Sequence, residues 1–532
     1  MRLDKVYIDG FKNLKHLEVD FDERQLTTVL IGQNGAGKSN LIEAITQVFR
    51  WVDVRRNEPR FRYRVDYRIR PRAGDAPQAT RVTLSNVPDE PAIRIDGQEV
   101  KRTEFEKKKD DWFPDLVFGY YSGSGRRLEE TFDRHQANYY KAIARDNDEA
   151  ACYQALVARR LFYCRPVHGV FALLAIFAFA ETKVGKELQE RLGITGFHSA
   201  LVLFREPWYA KGGKATKAGD AEKFWGAEGP AGRTAAKLKE VAFHPFGLPG
   251  NAIDDYRDKR LEEAQYATFL RDGSALRAFG AEFSDDSDMF YALEALDVSD
   301  LIREVMVWVS RDNDASGDVG YSDLSDGERQ LLMVLGLIRI SRGQRVLFLL
   351  DEPDTHLNPH WQHSYLDLIK EWTGIAADAD KSHIVLTTHN PLTISALTQQ
   401  EVRVMHTDKT TGLIQAMAPF VDPKGLGIGG VLTDIFGMAS TLDRPTQELI
   451  DKRNKLARLA IPTVAQAQQL EFINDELRKL GFMYQERDEL YREFLRKLDD
   501  VELADAGPLS PEELKRRDET TREIVEQLLK KP

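Results

Sequence analysis

The stretch Leu30-Ile-Gly-Gln-Asn-Gly-Ala-Gly-Lys-Ser-Asn40 decides how the rest of the chain is read. The apolar run at 26–31 predicts a strand leading into it, and Leu41-Ile-Glu-Ala-Ile45 behind it spaces apolar residues as a helix does. Strand, glycine loop and helix is the order a phosphate-binding loop needs. Its glycines let backbone N–H groups curl around phosphates, and the helix N-terminus adds the positive end of a dipole. Gly32, Gln33, Asn34, Gly35, Ala36, Gly37, Lys38, Ser39 and Asn40 are therefore expected to cradle a nucleotide. Lys38 would reach the β- and γ-phosphates, and the Ser39 hydroxyl would ligate magnesium. The competing reading, a glycine-rich turn with no ligand, does not explain the strand and helix on either side.

Three later stretches supply matching chemistry. Tyr321-Ser-Asp-Leu-Ser-Asp-Gly-Glu-Arg-Gln330 precedes an apolar helical run at 331–340. Ser325 and Gly327 at that helix start offer a hydroxyl and a Cβ-free backbone to a γ-phosphate. A capping box between Ser325 and Glu328 would explain the same residues. Arg345-Val-Leu-Phe-Leu-Leu350 reads as a strand buried in a parallel sheet, and it ends in Asp351-Glu352-Pro353. Adjacent carboxylates at a strand's carboxyl end are costly unless something positive occupies the crevice beyond. Magnesium held through Asp351, with Glu352 polarising the attacking water, meets that need. His383-Ile-Val-Leu-Thr-Thr-His389 is a further buried strand whose tip presents His389 to the γ-phosphate. Four motifs in this order do not arise together by accident.

The remainder sets limits. At 532 residues the chain exceeds one compact domain of common size, so at least two lobes are expected. Hydrophobic residues at 42% and charged residues at 30% fit a folded globular protein rather than a disordered one. A net charge of -11 argues against a surface coated in nucleic acid but permits one local basic groove. Cys152 and Cys164, the only cysteines, lack metal-ligand spacing and suit a reducing cytoplasm as core residues. The charged start at 1–6 has no signal-peptide pattern, and the longest apolar run, 170–180, is too short to span a membrane. That run reads as a buried helix. At 61–70, Phe61, Tyr63, Val65, Tyr67 and Ile69 alternate with Arg62, Arg64, Asp66, Arg68 and Arg70, a strand with one guanidinium-rich face. The arginines either track the phosphates of DNA or RNA or pair with some of the chain's 85 carboxylates. The glycine- and lysine-dense stretch at 211–232 reads as a surface insertion, and 446–531 as a charged helical tail with Leu470, Ile473, Leu477 and Leu480 along one stripe.

Together the motifs resemble those of ABC-type ATPases of the SMC and RecF-like group. Gly32-x-x-x-x-Gly37-Lys38-Ser39 matches the Walker A motif, Ser325-Asp-Gly-Glu328 the signature, Asp351-Glu352 Walker B, and His389 the switch histidine. Gly10-Phe-Lys-Asn13 is similar to the opening of the same heads and brings Lys12 to the nucleotide. The continuation Asp351-Glu-Pro-Asp-Thr-His-Leu-Asn-Pro359 resembles the RecF-like and OLD-like branch. Phe118-Gly-Tyr-Tyr-Ser-Gly123 and Gly430-Val-Leu-Thr-Asp-Ile-Phe-Gly437 resemble bacterial defence ATPases such as the Septu subunit.

The resemblance implies an α/β fold: a two-lobed head at 1–125 and 301–445, a compact helical insert at 126–300 and a helical tail at 446–532 for dimerisation or partner binding. The insert lacks the heptads of a long coiled-coil rod and any Cys-x-x-Cys hook. It further implies ATP and Mg2+ as cofactors, Lys38, Glu352 and His389 in catalysis, and Ser39 and Asp351 at the metal. In such heads Ser325, Gly327 and Glu328 serve the ATP bound by a second copy, so a head-to-head dimer or higher oligomer is implied. The group's usual glutamine after the strand at 115–121 is missing, and Tyr121, Ser122 and Arg126 are candidates for its role. No nuclease of the TOPRIM type follows His389, and His389-Asn390 is not a metal-bound HNH motif. The expected function is an ATPase whose dimerisation controls a separate effector, a nuclease, in anti-phage defence. The alternatives are a RecF-like repair factor acting on DNA and a nucleotide-sensing scaffold with little turnover.

Overall fold

The computed structural model describes residues 1–72, 79–123, 125–143, 148–179, 182–207, 218–252, 262–312, 318–373, 381–438, 440–459, 461–482 and 511–529. Part of the stretch read as a surface insertion, 211–217, lies outside them. The chain forms two compact units, one of 1–30 and 37–393 and one of 31–36 and 394–532.

The first unit opens on strands β1 (Arg2–Asp9) and β2 (Leu17–Asp20), joined by a turn in which the Gly10 and Phe11 N–H groups donate to Leu14 O. Strand β3 (Thr27–Gly32) follows, then helix α1 (Lys38–Val54). Strands β4 (Arg62–Ile69), β5 (Thr80–Ser85), β6 (Ile93–Ile95) and β7 (Gln98–Glu99) complete an antiparallel sheet of order β2-β1-β4-β5-β6-β7. Period two decides the faces of β4: Tyr63, Val65, Tyr67 and Ile69 are buried. On its other face Arg64 meets Glu90 at 3.1 Å and Glu18 at 3.5 Å, and Arg68 meets Asp4 at 3.0 Å and Glu23 at 2.8 Å. For these two residues the internally paired arrangement is the one observed.

Strands β8 (Leu116–Tyr121), β9 (Leu161–Tyr163), β15 (Val346–Asp351) and β16 (His383–Thr387) build the sheet that carries the motifs. Within this unit the order is β3-β16-β15-β8-β9, and every pairing is parallel. Each residue of β15 and β16 is buried, which is why both read as unbroken apolar runs. All the strands point one way, so Asp351, Thr387 and Tyr121 gather at one edge.

Residue 180 of the long apolar run lies outside the described residues, and residues 170–178 lie in helix α2 (Pro166–Ala178). Helices α3 (Asp286–Val298) and α4 (Asp326–Ile340) pack against it, α4 closely enough that a Cβ on Gly336 would sit 2.7 Å from Ala172 Cβ. A second antiparallel sheet, order β11-β12-β10-β13-β14, comprises β10 (Ile194–Arg205), β11 (Phe246–Ala252), β12 (Glu262–Leu270), β13 (Ile302–Arg311) and β14 (Val319–Gly320). The stretch 126–300, expected to be a helical insert, thus also contributes four strands among the described residues, β9 to the parallel sheet and β10, β11 and β12 to this one. Strand β10 pairs with β13, residue 200 opposite 307, a partnership between distant segments that leaves no local pattern.

In the second unit β17 (Val402–Thr407) and β18 (Ile414–Met417) form a hairpin, and Gly32 comes close to it. A Cβ on Gly32 would lie 2.2 Å from Met405 O, and φ there is +151°, so glycine is required. Helices α5 (Arg444–Ala457) and α6 (Val464–Lys479) pack together, and α7 (Pro511–Leu529) ends the described chain. Of the expected tail stripe Ile473 and Leu477 are buried, Leu470 is half-buried and Leu480 is exposed. No helix among the described residues is long and apolar enough to cross a membrane.

Candidate nucleotide site

The glycine loop makes a tight turn, with Ala36 N donating to Gln33 O at 3.1 Å, and Gly37 takes φ 88° at the cap of α1. Lys38 and Ser39 then open the helix. The Lys38 side chain is buried, which pushes its pKa below the usual lysine range, while Glu352 and Asp351 oppose that shift. Ser39 Oγ donates to Asp351 Oδ1 at 3.0 Å. Asp351 is 2% exposed, and burial raises its pKa even though hydrogen bonds from Thr387 and Ser39 pull the other way. A buried carboxylate beside a hydroxyl is an oxygen pair suited to a hard divalent cation.

Glu352 follows with φ 53°, a left-handed conformation that costs a non-glycine residue of order 1–3 kcal/mol. Two hydrogen bonds fix it there: its N–H donates to Thr387 O at 3.2 Å and to Thr387 Oγ1 at 3.0 Å. The same Thr387 hydroxyl donates to Asp351 Oδ1 at 2.6 Å. One buried threonine thereby sets both carboxylates. Beyond it, His389 Nδ1 lies 3.4 Å from Glu352 Oε1.

The structure brings together Ser39, Asp351, Glu352 and His389, with Lys38 close enough for both carboxylates to act on it. Lys12 and Asn40 are occupied beside the loop: Lys12 Nζ meets Glu43 Oε2 at 2.5 Å, and Asn40 donates to Asn13 at 2.7 Å. The turn at 10–14 is thereby held on the first turns of α1.

The signature residues make contacts of their own. Ser325 Oγ donates to Glu328 Oε2 at 2.8 Å and accepts from Glu328 N at 3.3 Å, the capping box foreseen above. Arg311 holds Glu328 at 2.5 Å. Gly327 lies so near the chain after β15 that a Cβ would come within 2.5 Å of His356 O. Gln330 Nε2 donates to Pro353 O at 2.8 Å, and its Oε1 accepts from His356 N at 3.3 Å. The helix bearing Ser325 is therefore fastened to the loop that follows Glu352.

Several residues here escaped sequence reasoning. Thr387 and Gln330 sit inside quoted motifs, but their roles depend on which strand and loop lie alongside. Asp354 is buried and accepts from Thr388 Oγ1 at 2.7 Å and from Thr393, tying the loop after Glu352 to the segment carrying His389. Of the three candidates for the missing glutamine, Arg126 pairs with Glu129 and Asp133, Ser122 Oγ stands 3.4 Å from Thr355 Oγ1, and Tyr121 lies opposite Asp351 in the sheet. Arg127, not singled out by the sequence, meets Glu43 Oε2 on α1 at 2.9 Å.

Comparison with known families fits this geometry. Residues 1–149 match a family described as "AAA ATPase domain", and residues 235–395 match one described as "AAA domain, putative AbiEii toxin, Type IV TA system". The two matches carry all four motifs. In both matched stretches the chain is similar to AAA-type ATPases. The chain is also similar to the Septu protein PtuA of Bacillus mycoides (strain KBAB4), 28% identical over 166 residues, 30% of this chain and 22% of that one. The DNA replication and repair protein RecF of Lactobacillus acidophilus (strain ATCC 700396 / NCK56 / N2 / NCFM) is 49% identical over 45 residues, 8% of this chain and 12% of that one. The chain thus spans less than a quarter of either relative's length. The solved SmcHead bound to the C-winged helix domain of ScpA is 14% identical, covering 79% of this chain and 97% of that one, at a TM-score of 0.30.

Proposed function

We propose that the chain binds ATP with magnesium and hydrolyses it, that ATP closes two such heads on each other, and that this closure controls a separate effector, a nuclease, in anti-phage defence. The observation that carries the reading is the continuous contact from Ser39 through Asp351 and Thr387 to Glu352 and His389 at the carboxyl edge of the parallel sheet. Lys38 would hold the phosphates, Glu352 would take a proton from the attacking water, and His389 would orient Glu352. Ser39 and Asp351 would hold magnesium, which when bound neutralises charge on the β- and γ-phosphates. The likeness to PtuA supports control of an effector in defence.

Two substitutions test the site. Lys38→Ala should weaken ATP binding at least tenfold, since it removes the buried cation beside the loop. Glu352→Gln should keep ATP affinity within about twofold while lowering turnover about 10²- to 10⁴-fold, because the amide keeps the shape but cannot accept the proton. Equal ATP affinity in wild type and the Lys38 variant would sink the assignment. For the effector, the chain would be purified from native lysate and its companions identified. A copurifying nuclease supports the reading, whereas salt-dependent DNA binding by the chain alone would favour the RecF-like alternative.

A further inference from the structure

Glu43 lies one helical turn after Ser39 on α1, and so on the same face of the helix. Its side chain is 8% exposed, and a single oxygen, Oε2, receives two cations: Lys12 Nζ at 2.5 Å and Arg127 Nε at 2.9 Å. Gln47 donates to the other oxygen at 3.3 Å. Two positive charges on one carboxylate leave an excess of one on the second turn of α1. The excess is placed to act at the site, because Arg127 is held on Glu43, one helical turn from Ser39 on the same face of α1. The two cations are held differently. Lys12 has a short contact with Glu43 and also stands over the Phe11 ring, 5.0 Å from its centroid. Arg127 is bound through Nε, and its side chain is 49% exposed. Should Arg127 turn away, Glu43 keeps Lys12 as its counter-ion, so no buried carboxylate is stranded.

On the ATPase reading above, we propose that Arg127 is a second phosphate-facing cation of this site, supplied by the same chain, and that Glu43 is the latch holding it beside the loop until a nucleoside triphosphate draws it in. The guanidinium fork suits the exchange, since it can form two parallel bonds to phosphate oxygens. A triphosphate reaches further and carries more charge than a diphosphate, so the contact should discriminate between them.

The test is the ratio of ATP to ADP affinity, measured by equilibrium binding with a non-hydrolysable ATP analogue in the triphosphate arm. Arg127→Ala should weaken triphosphate binding about tenfold and diphosphate binding less than about twofold, the loss expected for one charge-assisted hydrogen bond. Arg127→Gln keeps a hydrogen-bond donor for Glu43 and therefore the fold, and it should lose the same preference. Glu43→Gln should release the latch and tighten triphosphate binding severalfold. An unchanged affinity ratio in both Arg127 variants, with Lys38→Ala still defective, overturns this proposal alone and leaves Arg127 a structural partner of Glu43. A wild-type chain that binds neither nucleotide overturns the ATPase reading and this one together.

Discussion

Asp351 carries a charge where burial works against it, and the sign of the consequence follows from linkage. Its pKa is raised in the folded chain, so the fold without nucleotide is penalised at every pH above that value. The penalty is relieved as pH falls through it and the carboxyl takes up a proton. Asp351→Asn should therefore raise the melting temperature of the nucleotide-free protein by a few degrees at pH 8, and the gain should shrink as pH falls through the raised pKa of the wild-type carboxyl. In the same variant the stabilisation given by magnesium and ATP should disappear. Thermal melts across pH, with and without the nucleotide, read both effects. A variant less stable than wild type at pH 8 would show that the Ser39 and Thr387 hydrogen bonds outweigh desolvation. At this scale the sequence was legible in which residues meet, since the motifs carrying Lys38, Ser39, Asp351 and His389 come together in the fold. Thr387 and Arg127 lay hidden, because what they touch is set by strand register and by a turn after β8, neither of which is periodic.

Among elements, α4 and the loop after β15 act as one piece. Gly327 is expected to offer bare backbone to a phosphate, and its missing Cβ also makes room for the backbone at 356–357, while Gln330 bonds to both ends of the same turn. Gly327→Ala should lift the start of α4 off that loop, since backbone cannot yield as a flexible side chain would. The overpacking should cost about 1–3 kcal/mol of stability, measured by urea unfolding. Turnover should fall in step, because the displaced loop begins at Glu352. Unchanged stability and turnover would mean that the loop moves aside freely. Strands β15 and β16 and helix α2 could be read directly from their apolar runs. The sheet through β10 and β13 could not, because its pairing joins segments a hundred residues apart. The period-two pattern of β4 gave the right faces, but only the structure shows Arg64 and Arg68 already engaged by Glu18, Glu90, Asp4 and Glu23.

For the whole molecule the open question is whether one chain completes a site. The signature serine is committed to its own capping box with Glu328, and its helix is fastened to the loop after Glu352 rather than left as a separate arm. If the proposed head-to-head pairing holds, a change at Ser325 damages the site of the other copy, whereas a change at Lys38 damages the chain's own. Chains carrying Ser325→Arg and chains carrying Lys38→Ala should each be inactive as homodimers. When mixed, each heterodimer has one site made of an intact loop and an intact signature, and one site defective in both. For freely exchanging subunits at equal amounts, half of the dimers are mixed, so activity should return to about one quarter of wild type if the sites work independently. Strong coupling between sites would lower that fraction without abolishing the dependence on mixing ratio. The measurement is ATPase activity against the proportion of the two variants, with heterodimers verified by differential tags. A flat, inactive profile in mixtures that contain heterodimers would mean that the signature does not act across the pair, and the site would then have to be built within one chain.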